Sequence, residues 1–65
     1  MATIGDNIKK IRAKRSMTQD DLVRKSGVKH TTLTKIESNV VTKPTVQTVA
    51  KIARALSVDI EDLLK

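Results

Sequence analysis

Residues 17–37, MTQDDLVRKSGVKHTTLTKIE, constrain the fold more than any other stretch of the chain. Thr18 and Asp21 have the spacing of a capping box, and Met17 and Leu22 flank it as a hydrophobic staple, so a helix is expected to begin at Gln19. Gly27 then supplies the tight turn, and apolar residues resume at helical spacing. Leu22, Val28, Leu33 and Ile36 are the inward positions. The pattern predicts two short helices joined at Gly27, the second carrying polar residues on its outer side.

The same signals recur elsewhere. Thr3 with Asp6 fits a capping box before Ile8 and Ile11, and Asp59 with Asp62 fits another, with Val58 and Leu63 as its staple. Pro44 disfavours helix before it, and Thr45 can cap the helix after it. Strand alternation with turn dipeptides is absent. Five helices are therefore expected, at 4–15, 19–26, 30–38, 46–56 and 60–64. Ile4, Ile8 and Ile11 share a face of helix 1. Val46, Val49, Ala50, Ala53 and Leu56 form a stripe on helix 4, with Ile52 at its edge. Ile60, Leu63 and Leu64 close the sequence. These apolar sets read as core or interface, not as a ligand pocket.

Composition narrows the function. Sixty-five residues suit one small domain, 1–65, whose limited core favours a partner subunit. There is no cysteine and one histidine, so a disulfide, a His/Cys metal site or a supported Ser–His–Asp triad is not expected. No Gly-rich phosphate loop occurs. Asp59, Glu61 and Asp62 suit the start of helix 5 better than a cation site. Residues 1–6 are too polar for a secretory segment and no apolar run approaches a membrane span, so a cytoplasmic protein without membrane contact is expected. No enzyme activity, cofactor, metal or small-molecule effector is expected.

The balance of 13 Lys and Arg against 7 Asp and Glu gives a net charge of +6, which favours a polyanionic partner or simply solubility. The absence of Phe, Tyr and Trp is more selective. Single-stranded nucleic acid is usually held by stacking bases on aromatic rings, whereas duplex DNA is read from base edges and phosphates without them. In helix 3, Leu33, Ile36 and Glu37 take the inner side and leave His30, Thr31, Thr34 and Lys35 outward. Lysine can donate to guanine O6 and N7, threonine can bond a base or touch a thymine methyl, and histidine can donate or accept. Any exposed helix face is polar. The distinguishing point is that this face lies on the second helix after a Gly turn in a basic chain, the layout of a helix-turn-helix that enters the major groove.

Three further segments complete a family likeness. IGDNIKKIRAKRSMTQDDLVRKSGV at 4–28, TLTKIESN at 32–39 and KPTVQTVAKIARALSVDIEDLL at 43–64 resemble, in order, the helices of lambda-repressor-like (Cro/XRE-type) helix-turn-helix proteins. Stand-alone members of this length include restriction–modification controller proteins and small repressors. The resemblance implies an all-α, five-helix DNA-binding fold with helices 2 and 3 as the helix-turn-helix. It also implies sequence-specific binding of double-stranded DNA as a homodimer. Carried onto this sequence, it places His30, Thr31 and Lys35 at base-reading positions and adds Thr34 to that face. It places Gln19 at a phosphate while bracing the first side chain of the recognition helix. Thr32, Thr42 and Lys43 fall at backbone-contact positions. For Lys43 a solvated loop lysine is an equal alternative. Lys9, Lys10, Lys14 and Arg15 read as the solvent face of helix 1.

Arg12 follows Ile8 by four residues and Glu37 follows Ile36, so both lean inward. The resemblance implies a buried structural ion pair between them. Three positions depart clearly from the family pattern and a fourth, Asn39, mildly. Val23 stands where alanine is usual, and Ser26 where an apolar residue is usual. Lys29 replaces the hydroxyl cap of helix 3, where its charge opposes the helix dipole but can approach a DNA phosphate. Asn39 stands for the usual glycine and tolerates the left-handed conformation. The expected dimer surface is Ile60 and Leu64 with Ile52. The rival reading is a protein-interaction module, such as an antirepressor or antitoxin subunit, on the same fold. An apolar outer face on helix 3 would have favoured it. Nonspecific architectural binding would require minor-groove wedges or a basic arm, and neither is present.

Overall fold

A computed structural model describes residues 3–65, so the part of the 1–6 reading that rests on residues 1 and 2 lies outside them. Five helices follow one another: α1 (Ile4–Lys14), α2 (Gln19–Ser26), α3 (His30–Glu37), α4 (Val46–Leu56) and α5 (Ile60–Leu64). The expected elements are present with ends shifted by one residue at two places. Arg15 caps α1, and α3 stops at Glu37 because Ser38 leaves the helix and Asn39 turns left-handed at φ 65°.

The caps explain the starts. The Thr3 hydroxyl accepts the Asp6 N–H at 3.1 Å, and the Thr18 hydroxyl accepts the Asp21 N–H at 3.1 Å. The Thr18 N–H returns a bond to Asp21 Oδ2 at 3.0 Å, which holds that carboxyl below its ordinary range, with Arg24 and Lys25 assisting. The Thr45 hydroxyl accepts the Thr48 N–H at 3.2 Å. Asp62 Oδ2 accepts the Asp59 N–H at 3.1 Å at the head of α5. Gly27 ends α2 with φ 73°, a conformation that costs a residue with a Cβ. Ser26 is accommodated because its hydroxyl accepts the Val28 N–H at 3.1 Å across this turn.

α1 packs against α3 and α5, α2 against α3 and α4, and α4 against α5. The shared core is Ile8, Leu22, Val28, Leu33, Ile36, Val49, Ile52, Ala53, Leu56 and Leu63. Two apolar assignments need correcting. Ile52 is fully buried, at 0% exposure, so it cannot belong to a dimer surface; α4 turns it into the core between its neighbours rather than to an edge. Val46 is 76% exposed, because it is the first residue of α4 and precedes the turn that meets the core. Gly5 permits a close approach of α1 to the end of α3: a Cβ there would collide with the Ile36 carbonyl oxygen. No helix among the described residues is long and apolar enough to cross a membrane.

Candidate nucleic-acid interface

Burial fixes which way α3 faces. Leu33 and Ile36 are fully buried, and Glu37 is 3% exposed. His30, Thr31, Thr34 and Lys35 are all exposed, and their i, i+1, i+4, i+5 spacing puts them on one side of the helix. The Thr34 hydroxyl donates to the His30 carbonyl at 2.8 Å. Its proton is therefore engaged, and it offers a neighbour an acceptor lone pair and a methyl group rather than a donor. The Lys35 carbonyl accepts the N–H groups of Val40 and Val41 at 2.9 and 3.0 Å. Those bonds turn the chain sharply into the loop that carries the exposed Thr42 and Lys43. Thr32 is half-buried. Lys29 precedes α3 with no side-chain cap bond, leaving the first N–H groups of the helix uncapped by a side chain.

Arg12 and Glu37 clamp α3 from behind. Arg12 Nε donates to Glu37 Oε2 at 3.0 Å and Nη2 to Oε1 at 2.9 Å, a two-pronged pair, while Nη1 donates to the Met17 carbonyl at 2.9 Å. Arg12 is 20% exposed, so the pair lies between the core and the surface. Gln19 Nε2 also donates to Glu37 Oε1, at 3.1 Å. The expected brace from Gln19 to the first residue of α3 is replaced by one to its last. The carboxylate of Glu37 is a stronger acceptor than any atom on His30, and it sits within reach. This bond uses the amide nitrogen of Gln19 and leaves its carbonyl oxygen out of the pair. The ion pair, the turn before α2 and the end of α3 are thus one hydrogen-bonded unit.

Arg12, Met17, Thr18, Gln19, Asp20 and His30 line a cleft of about 540 Å³. It brings the first residues of α2 together with the first residue of α3. Asp20 does not stand out in the sequence as a site residue, yet its Oδ1 lies 3.8 Å from His30 Nε2. The only available signal was its place one residue after Gln19, which a helix start explains equally well. Elsewhere, on α5, Ile60 and Leu64 are 36% and 57% exposed. Among the described residues no group of three or more His, Cys, Asp or Glu is arranged to hold a metal ion.

Comparison with known proteins gives the same geometry a lineage. The chain is 34% identical over 61 residues to the HTH-type transcriptional regulators SinR of Bacillus subtilis and of Bacillus licheniformis, covering 94% of this chain. It spans 55% of the length of these relatives. A solved structure of the N-terminal DNA binding domain of SinR from Bacillus subtilis superposes with a TM-score of 0.91 at 34% identity, covering 95% of this chain and 90% of that one. A helix-turn-helix family profile matches residues 8–63, and the chain belongs to that family.

Proposed function

We propose that this chain is a sequence-specific, double-stranded DNA-binding transcriptional regulator that acts as a homodimer on a palindromic operator. The observation that carries the reading is the exposed polar face of α3, held rigid from behind by the Arg12–Glu37–Gln19 unit. The function named for the SinR proteins points the same way. In this reading His30, Thr31, Thr34 and Lys35 face base edges. Gln19, Lys29, Thr32, Thr42 and Lys43 lie against phosphates on either side. Two recognition helices about 34 Å apart would enter successive major grooves on one face of the duplex.

Incubation with a random duplex pool, followed by sequencing of the retained DNA, tests this directly. A palindrome with half-sites one helical turn apart is the expected product. Retention without enrichment leaves only charge-driven binding, and no retention points to a protein partner.

Lys35→Ala is expected to cost ~1–3 kcal/mol on the recovered operator and little on random duplex. Equal losses on both would make Lys35 a phosphate contact. Fluorescence anisotropy at fixed salt separates the two.

The dimer surface in this reading is Ile60 and Leu64, whose side chains leave the core on α5. Leu64→Lys should convert a micromolar dimer to monomer in sedimentation velocity, because it puts a charge at the apolar centre. A variant that sediments like a dimeric parent would move the surface elsewhere.

A further inference from the structure

Among the described residues, Asp20 is a carboxylate on the proposed DNA-facing side that lies in the first turn of α2 and makes no side-chain hydrogen bond there. Asp21, its neighbour, closes the α2 capping box and pairs with Arg24. Asp20 is 77% exposed, and among the described residues its only ion-pair partner is His30, itself 54% exposed. At 3.8 Å the contact is too long for a hydrogen bond, and it is an ion pair only when the imidazole is protonated.

The receiving end explains why it matters. α3 has no acidic residue in its first turn and no side-chain cap, so its N-terminal partial positive charge has no compensation from its own sequence. Lys29 adds a full positive charge there. Of the other groups around the cleft, Arg12 is committed to Glu37 and to the Met17 carbonyl, and Gln19 is neutral. Asp20, 3.8 Å from the first side chain of α3, is the carboxylate that the neighbouring helix brings to this end.

We propose that Asp20 is a specificity-determining residue that stands in for a DNA phosphate at the start of α3. This rests on the DNA reading above. In the free protein the carboxylate lies against the His30 side chain, at the end of α3 that has no acidic residue or side-chain cap of its own. Any duplex that approaches brings phosphates toward a charge of the same sign. On the cognate operator the same carboxylate holds the His30 side chain where it meets its base, which offsets part of that repulsion. On random duplex His30 has no matching base and the repulsion stands alone, so the carboxylate widens the gap between right and wrong sequences, a repulsive element used for discrimination.

The test is Asp20→Asn, which removes the charge at a site with no hydrogen bond to lose. Binding of parent and variant is measured by anisotropy on the selected operator and on a random-sequence duplex, across a salt series, with thermal melting of both proteins alongside. The variant is expected to bind random duplex roughly three- to fivefold more tightly, with a smaller gain on the operator, the scale of one exposed charge contact. Its plot of log affinity against log salt should steepen by up to about one unit. Equal affinity and equal slope on random duplex overturn the proposal. So does a variant whose only change is a lower melting temperature, since Asp20 would then merely stabilise the start of α2 or of α3. The parent is measured first: if it retains neither duplex, the DNA reading itself fails, a result distinct from a parent that binds and a variant that binds identically.

Discussion

Arg12→Ala is expected to lower the free energy of unfolding by about 3–5 kcal/mol, because it strands Glu37 as a buried charge. Glu37 is 3% exposed, and its carboxylate accepts two bonds from the Arg12 guanidinium and one from the Gln19 amide. After truncation only the Gln19 amide remains to it. Arg12 also ties down the Met17 carbonyl, so the chain entering α2 loosens as well. A fold of this length holds roughly 3–10 kcal/mol in total. The variant should therefore be largely unfolded or melt far below the parent, as followed by circular dichroism in a urea series. Arg12→Met with Glu37→Leu should recover most of the loss, since removing both charges leaves nothing stranded. A single variant that melts like the parent would show that the pair carries no weight. A double variant no better than the single would mean that packing, not charge, was lost.

Gly5→Ala is the second large effect. In a helix interior this change ordinarily stabilises by up to about 1 kcal/mol. Here the added Cβ meets the Ile36 carbonyl oxygen, with the Glu37 Cα at 3.1 Å and the Asn39 Oδ1 at 3.0 Å. Asn39 can rotate aside, but the backbone of α3 cannot. α1 and α3 must separate, and the net result is expected to be a loss of roughly 2–3 kcal/mol. Gly5 and Arg12 lie about 10 Å apart along α1, from the rise per residue, and both act on the α1–α3 contact. Their losses should therefore fall short of additive in the double variant. A Gly5→Ala protein with a raised melting temperature would show that the two helices are not in such close contact.

These two residues were unequally visible in the sequence. Arg12 and Glu37 are tied by helical spacing to strong apolar positions, Ile8 and Ile36, so their inward lean followed from position, and the family likeness supplied the pairing. Gly5 gave no such sign, because a glycine near a helix start has many uses and the reason for this one lies on another helix. The outer face of α3 was legible for the same reason as Arg12: burial of Leu33 and Ile36 dictates which residues remain outside. Gln19 was placed correctly at the head of α2, but its partner was not. Which of several acceptors an amide reaches depends on distances between helices, and sequence spacing says nothing about those.

The apolar edges show the same division. Val46 and Ile52 both fit the stripe on α4, yet one is 76% exposed and the other fully buried. Period alone assigns a direction around the helix axis. It does not say where along the axis the neighbouring helices begin or how many flanks they cover. α4 meets both α2 and α5, so the core wraps far enough to take in Ile52 and starts too late to cover Val46.

Local structure could be read from the chain alone. Helices start where they do because Thr3, Thr18 and Thr45 satisfy the N–H groups beyond them, and α2 ends at Gly27 because glycine takes a left-handed turn without strain. The meetings across helices came from packing instead: Gln19 with Glu37, Asp20 with His30, and Gly5 with Ile36. Capping and periodicity act within a few residues of the chain. Contacts between residues 18, 10 or 31 positions apart depend on how helices pack, and packing is set by the whole core at once.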